Sequence, residues 1–323
     1  MTDPMTDPKT DPKTIHIVQL CPMAPPVEAA LAQRFTVHRW FDAPDRAALL
    51  AQEGPHLRAA VTGGHFGIPA EVATALPALE IVAINGVGYD RVDLAEARRR
   101  GYRVTNTPDV LTDDVADLAI GLVIATLRQI VRGDQHVRRG LWPSGELPLG
   151  TKVSGARFGI FGLGRIGLGI ARRLEAFGGT IAYHNRSKRD VPYAFHADLA
   201  SLAAAVDVLI VAVSASAETR GVVDHAVLDA LGPRGTLVNI ARGSVVDEPA
   251  LIAALQDGRI ASAGLDVFAD EPRMPEALWA LPNVVLTPHV ASATGETRQA
   301  MADLMLANLD AHFAGQTLQT PVV

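Results

Sequence analysis

Three polar residues, Arg242, Glu271 and His289, each follow a short run of β-forming residues: Leu237–Ala241, Leu265–Phe268 and Val285–Pro288. In an open parallel sheet, ligands gather outside the carboxyl ends of the strands, so all three side chains are expected at one crevice. Their types suit one reaction. Reducing a 2-keto acid puts a hydride on the carbonyl carbon and a proton on its oxygen. A histidine titrates near neutral pH and can give that proton. A carboxylate beside it orients the ring and favours its protonated form. An arginine can hold the substrate carboxylate through two parallel bonds and polarise the keto oxygen. Singly, each has a plainer reading. Ten histidines are present, and most should serve the surface or the packing. Arg242 alone reads as an ion-pair partner, and Glu271 alone as a surface acid before Pro272. Their joint placement after three successive strands favours the catalytic reading.

The hydride needs a carrier, and residues 162–167 offer a place for one. Gly162-Leu163-Gly164-Arg165-Ile166-Gly167 is a GxGxxG. It follows the apolar run Phe158–Phe161 and precedes a helical pattern with Ile166, Ile170, Leu174 and Phe177 on one face. That context separates a dinucleotide site from a structural glycine turn. Gly162 allows the tight turn, Gly164 lets backbone approach the pyrophosphate, and Gly167 lets helix and strand pack closely. The helix N-terminus, with Arg165 and Ile166 in its first turn, adds N–H groups and partial positive charge.

The next strand ends at His184-Asn185-Arg186-Ser187-Lys188-Arg189. A protein that prefers NAD usually places an acid near Asn185 to hold the ribose 2′-OH, but here the first carboxylate is Asp190. Arg186, Ser187, Lys188 and Arg189 suit a 2′-phosphate instead. NADPH is the expected cofactor, with NADH a weaker alternative. A solvated basic loop is the plainer reading of the same residues. Ser214, after one later strand, and Ile240, at the end of the next, complete the expected cofactor set.

The elements that must position these residues read as an α/β alternation. β-rich runs occur at Ile15–Leu20, Phe35–Trp40, Ala59–Thr62, Glu80–Ile84 and Tyr102–Thr105, with helical stretches such as Val27–Gln33 and Leu94–Arg100 between them. A long helix follows Thr112, with Val115, Leu118, Ala119, Leu122 and Val123 at helical spacing and Thr112 or Asp113 as its cap. The stretch Gly140–Gly150 holds two prolines and three glycines and reads as a loop. A second unit begins at Arg157, with strands at Phe158–Phe161, Thr180–His184, Val208–Val213, Thr236–Ile240, Ile260–Val267 and Val284–Thr287. A long amphipathic helix, Thr294–Phe313, is expected to pack back on the first unit. Two parallel-sheet domains with the binding cleft between them follow. Residues 1–14 repeat Thr-Asp-Pro three times and read as a disordered tail.

Composition limits the alternatives. Hydrophobic residues make up 48% of 323, enough for two well-cored domains. The net charge of −6 argues against binding along a nucleic-acid backbone, which needs a basic face. The longest apolar stretch, Leu118–Leu127, is too short for a membrane span, and no secretory signal opens the chain. The single cysteine, Cys21, excludes an internal disulfide and fits a reducing compartment, so the cytoplasm is expected. Asp113-Asp114-Val115-Ala116-Asp117 superficially matches a DDxxD metal motif, but acids at a helix start are favourable without an ion, and no metal is expected. Arg98-Arg99-Arg100 before Gly101 suits a helix C-terminus rather than a nucleic-acid patch.

Taken together, Gly162–Gly167, the run Asn239–Glu248, the run Gly264–Pro272 and Thr287-Pro288-His289 resemble the signatures of the D-isomer-specific 2-hydroxyacid dehydrogenases, in the order that family has them. The resemblance covers nearly everything after residue 14. It implies Arg242, Glu271 and His289 as a catalytic trio, Asp266 near the nicotinamide carboxamide, and backbone N–H groups of Asn85-Gly86-Val87-Gly88 for the substrate carboxylate. It implies a Rossmann-type nucleotide domain, residues 107–292, and a discontinuous flavodoxin-like substrate domain, residues 15–106 and 293–323. It also implies a homodimer joined through the nucleotide domain. Within the family, residues 106–117, Asn185-Arg186-Ser187 and Gly140-Leu141-Trp142-Pro143 look most like glyoxylate/hydroxypyruvate and hydroxyphenylpyruvate reductases. A small 2-keto acid is the expected substrate. Trp142 has three possible places: the substrate site, a dimer contact or the core. Some relatives of the fold are nucleotide-sensing corepressors, and the trio does not separate that class from an enzyme.

Overall fold

The computed structural model describes residues 14–323, so the tail expected at 1–14 lies, save for Thr14, outside the described residues. In chain order the main elements are β1 (His16–Gln19), α1 (Pro25–Arg34), β2 (Thr36–Arg39), α2 (Arg46–Glu53), β3 (Leu57–Gly63), α3 (Ala70–Ala75), β4 (Ile81–Asn85), α4 (Leu94–Arg100) and β5 (Arg103–Thr105). Then come α5 (Thr112–Leu127), α6 (Ile130–Arg138), β6 (Arg157–Phe161), α7 (Arg165–Leu174), β7 (Thr180–His184), β8 (Ala194–His196), α8 (Leu199–Ala205) and β9 (Val208–Val211). The chain closes with α9 (His225–Leu231), β10 (Thr236–Asn239), α10 (Glu248–Gln256), β11 (Ser262–Leu265), β12 (Val284–Leu286) and α11 (Gly295–Phe313). These fall into two compact units. One runs up to Val110 and resumes at Gly295–Val323; the other is Leu111–Thr294.

The first unit holds a five-stranded parallel sheet in the order β2-β1-β3-β4-β5. This is a flavodoxin-like order. Alternate residues of β1 feed two separate cores, as a sheet covered on both faces requires. Ile17 packs with Val27 and Leu31 of α1 and with Met305, Leu306 and Leu309 of α11. Val18 packs on the other face with Trp40, Leu57, Val72 and Leu76. Local signals fix the helix ends. Asp45 caps α2 by accepting from the Ala48 N–H at 2.9 Å, and Asp93 caps α4 by accepting from Glu96 at 2.9 Å. Gly101, at φ 82°, ends α4 just after its three arginines.

The second unit holds a seven-stranded parallel sheet in the order β12-β11-β10-β9-β6-β7-β8. The order reverses direction between β6 and β9, so a crevice opens at the carboxyl ends of those strands. The fold class is α/β, as the sequence pattern predicts, with one Rossmann-type sheet and one flavodoxin-like sheet, as the resemblance implies.

Several local expectations need correction. Neither Thr112 nor Asp113 caps α5: the helix begins at Thr112 itself, with Leu111 at the cap position and no side-chain cap bond. Asp113 and Asp117 instead pair with Arg173 of α7, and Asp114 accepts from the Thr294 hydroxyl. Helix α6 and the short edge strand β8 were not foreseen; α6 starts after Gln129 turns the chain at φ 52°. In the first unit, near the end of its first stretch, the Asn106 amide donates to the Val87 carbonyl at 2.8 Å and the Thr107 N–H to the Gly86 carbonyl at 2.9 Å. Cys21 is buried, accepts from the Gly63 N–H at 3.2 Å, and is pushed above its usual thiol range by that burial.

Candidate active site

The glycine loop joins β6 to α7 at the point where the strand order reverses. Gly162 sits at φ 99°, and a side chain there would meet the Val213 backbone at 2.5 Å. A side chain on Gly167 would run into the Gly162 carbonyl. Both positions therefore exclude every residue with a Cβ. Gly164 is different: nothing lies within 4 Å of where its side chain would stand, and it is the residue before the α7 N-terminus. A loop closed on the strand side and open over a helix N-terminus fits the pyrophosphate of a dinucleotide. Arg165 and Ile166 form the first turn of α7, with Arg165 exposed and Ile166 half-buried.

The basic loop after β7 divides into two parts. Asn185 and Arg189 brace the glycine loop: the Asn185 Oδ1 accepts from the Leu163 N–H at 2.7 Å, and the Arg189 guanidinium donates to the Leu163 carbonyl. Arg189 is further held by its backbone, which exchanges bonds with the Tyr183 hydroxyl. Arg186, Ser187 and Lys188 lie at the surface. Arg186 is 89% exposed and meets Glu218 at 3.1 Å. Ser214 is exposed in the segment after β9, and Ile240 is buried at the end of β10, its N–H donating to the Val211 carbonyl.

The three polar residues singled out first come from the ends of β10, β11 and β12. The Glu271 Oε2 accepts from His289 Nδ1 at 2.6 Å, and its Oε1 accepts from the Phe268 N–H at 3.0 Å. Burial pushes the Glu271 carboxyl up. The His289 and Phe268 bonds, and the charges of His289 and Arg242, outweigh that and hold it below the usual carboxylate range. Arg242 thus lies close enough to act on the pair electrostatically. Its backbone is set by Asn239, whose amide donates to the Arg242 carbonyl at 3.0 Å and whose Oδ1 accepts from Ala241 at 3.0 Å. Gly243 lets that turn press against the backbone of Phe268 and Ala269, where any side chain would clash. The Glu248 side chain accepts from the Ala269 N–H at 3.0 Å and ties the two segments together.

His289 sits at φ 53°, a left-handed conformation that costs a branched or bulky residue free energy. Asp266 holds it there. This carboxylate is fully buried and accepts from the Thr287 hydroxyl at 2.7 Å, the Val290 N–H at 2.9 Å and the Ala291 N–H at 3.0 Å. The His289 N–H donates to the Asp266 carbonyl at 2.8 Å. Asp266, which the resemblance implies near the nicotinamide carboxamide, fastens with its side chain the loop that carries His289. Asn239 and Asp266 were missed as framework residues, although an Asn or Asp at a strand end is a known turn-forming signal.

In the first unit, Asn85 ends β4, and Gly86 and Val87 are fixed by the bonds from Thr107 and Asn106 already described. A side chain on Gly86 would meet Gly64 at 3.0 Å, so the two loops pack backbone to backbone. The Asn85 Oδ1 is buried without a partner. Gly88 lies against Gly64, whose side-chain position is closed by the Gly88 carbonyl at 2.9 Å. Trp142 is 67% exposed in a short 3-10 turn, which removes the core reading within one chain.

Comparison with known proteins agrees with this geometry. Residues 120–291 match the family described as D-isomer specific 2-hydroxyacid dehydrogenase, NAD binding domain. The chain is 51% identical over 310 residues to hydroxyphenylpyruvate reductase of Plectranthus scutellarioides, covering 96% of this chain and 99% of that one. It is 49% identical over 311 residues to a glyoxylate/hydroxypyruvate reductase of Arabidopsis thaliana, with 96% and 99% covered. Among solved structures, an NADPH-dependent glyoxylate/hydroxypyruvate reductase of Sinorhizobium meliloti, in complex with NADP and malonate, superposes with a TM-score of 0.91 at 48% identity, covering 96% of this chain and 97% of that one. With the glycine loop, the His289–Glu271 pair and this near full-length similarity in place, the chain belongs to the D-isomer specific 2-hydroxyacid dehydrogenases.

Proposed function

We propose that this protein reduces a small 2-keto acid of the glyoxylate/hydroxypyruvate class to the D-2-hydroxy acid, with NADPH as the preferred cofactor. The observation that carries the reading is the 2.6 Å bond between His289 Nδ1 and a Glu271 held ionised, beside Arg242. With Nδ1 committed to Glu271, His289 Nε2 delivers the proton to the forming alkoxide, and the ionised Glu271 stabilises the imidazolium before transfer. Arg242 binds the substrate carboxylate and polarises the keto oxygen. The 85–88 loop offers backbone N–H groups suited to a carboxylate. A reduced nicotinamide supplies the hydride. Residues 162–167 hold its pyrophosphate, with Asn185 and Arg189 bracing that loop, and Arg186, Ser187 and Lys188 receive the 2′-phosphate. In this assignment residues 107–292 form the nucleotide domain and the remainder of the described chain the substrate domain.

The test follows oxidation of NADPH and NADH in parallel with glyoxylate, hydroxypyruvate, pyruvate and hydroxyphenylpyruvate. Fast turnover of the first two with NADPH is expected. Turnover with NADH alone removes the cofactor assignment, and no turnover with any keto acid removes the enzyme. An aromatic 2-keto acid is the second reading, favoured by the 51% identity to a hydroxyphenylpyruvate reductase.

We further place the protein in the cytoplasm as a homodimer. The buried Cys21 thiol suits a reducing compartment, and no helix among the described residues is long and apolar enough to cross a membrane. Ile130, Val137, Leu141, Trp142 and Leu149 form an exposed apolar run in the second unit, with Leu149 97% exposed, and a second copy of the chain is the partner assigned to it. A monomer mass by light scattering at micromolar concentration rules the dimer out.

A further inference from the structure

Among the described residues, one group of His, Cys, Asp and Glu side chains brings three ligand atoms together: His16, His38 and Glu53 in the first unit. The fold explains the meeting. The parallel register pairs His16 with Thr36 and Val18 with His38, so the two histidines stand one pleat apart on the same face of β1 and β2. That is the Val18 face, which α2 covers through Leu49 and Leu50. Glu53 is the last residue of α2 and lies beside both rings. His16 Nδ1 and His38 Nε2 share a hydrogen bond at 3.1 Å, and the Glu53 Oε2 is 4.0 Å from the first and 3.9 Å from the second. The rings stack at 5.2 Å with 27° between their planes.

These lengths decide what the group can do. At about 4 Å the carboxylate is too far from either ring for a hydrogen bond. The point equidistant from the three atoms lies about 2.1 Å from each, and zinc binds imidazole nitrogen and carboxylate oxygen at about 2.0–2.2 Å. An ion entering the triangle takes the place of the hydrogen bond between the two rings and draws the Glu53 carboxylate inward toward tetrahedral spacing.

We propose that His16, His38 and Glu53 form a binding site for one divalent transition-metal ion of the zinc class. Two imidazoles and one carboxylate select zinc, cobalt or nickel over magnesium or calcium, which take oxygen ligands in larger number. Water completes the coordination. Burial, with the neighbouring His16, pushes the His38 imidazole below its usual value against the pull of Glu53, which favours the neutral ring a metal needs. The ion clamps β1, β2 and α2. It takes no part in hydride transfer as proposed above: His16 opens β1, whereas the 85–88 loop follows the carboxyl end of β4, at the other end of the strands of the same parallel sheet.

The test uses the full chain without a histidine tag, stripped with a chelator. Co2+ is titrated and followed by its visible absorption, and Zn2+ by calorimetry. One ion per chain is expected, with affinity reduced about tenfold or more in His38→Ala and in His16→Gln. Circular dichroism of each variant confirms the fold, and His16→Gln, at the partly exposed start of β1, serves if His38→Ala fails to fold. His289→Ala should bind the ion as the parent does. Equal binding by the parent, His38→Ala and His16→Gln overturns the proposal, as does no binding by the parent or loss of binding in His289→Ala alone.

Discussion

Two groupings of imidazole and carboxylate occupy the two units, and they are built to opposite ends. At His289 and Glu271 the gap is closed: 2.6 Å, one ring, one acid, the acid pinned by a backbone N–H and the ring pinned by a loop fastened to a buried aspartate. At His16, His38 and Glu53 the two rings share a hydrogen bond at 3.1 Å, but the acid stands about 4 Å from both and bonds to neither. A closed pair tunes one proton. An open triangle leaves the space an ion would fill. The same residue types thus support different chemistry according to how much of the distance between them is already used by a hydrogen bond.

The contrast is broken or sharpened most strongly by His289→Ala. Loss of the proton donor should lower kcat about 100-fold to 10,000-fold while NADPH affinity, read by fluorescence titration, stays near that of the parent. Turnover at the parent rate would remove His289 from the mechanism. Glu271→Gln comes next. It should lower kcat about tenfold to 100-fold, because a neutral amide no longer offsets the positive charge on the ring during proton transfer. An unchanged kcat would mean that the acid takes no part in the transfer.

The same variant tests the electrostatics by stability. The Glu271 carboxyl is depressed in the folded state. Its contribution is therefore complete above the unfolded value of about 4.3 and is lost as the pH falls through the lower folded value. The stability difference between parent and Glu271→Gln in denaturant should be widest above about pH 5 and shrink steadily in acid. A difference that grows in acid would contradict the sign.

Asp266→Asn should destabilise by about 2 kcal/mol, since an amide cannot accept as the carboxylate does from Thr287, Val290 and Ala291. It should also lower kcat by about tenfold through a loosened His289. An unchanged kcat with the stability loss would separate the framework from the chemistry. The smallest effect on the molecule itself is expected from Arg186→Ala. Its surface pair with Glu218 contributes little, so stability should change by less than about 0.5 kcal/mol. NADPH affinity should still fall about tenfold while NADH affinity holds. Equal losses for both cofactors would mean that Arg186 does not read the 2′-phosphate.

Much of the frame could be read from the chain. Strand β7 and helix α4 occupy the ranges that their patterns predict, because a buried parallel strand is a near-continuous apolar run and a helix end is marked by Asp93 and Gly101. Strand β8 could not be read in this way. It is a three-residue edge strand without an apolar run, and its pairing with β7 is a tertiary event. The start of α5 was misread for a related reason: Asp113 has the composition of a cap, but Arg173, sixty residues away, takes its carboxylate.

The sequence by itself singled out the residues to which the chemistry is assigned. Glycines at 162 and 167 have no substitute where backbones touch, and a polar residue after each of three strands must lie at the carboxyl end of the sheet. Only the tertiary structure decided how those residues are held, because the partners are distant in the chain. Asp266 reaches forward to fasten the loop of His289, Arg189 turns back onto the glycine loop, and His16, His38 and Glu53 meet only once β1, β2 and α2 have packed. Periodicity and motif spacing report local geometry and the face a residue occupies; the length of a gap between two side chains is set by packing, and that length separates a proton relay from a site for an ion.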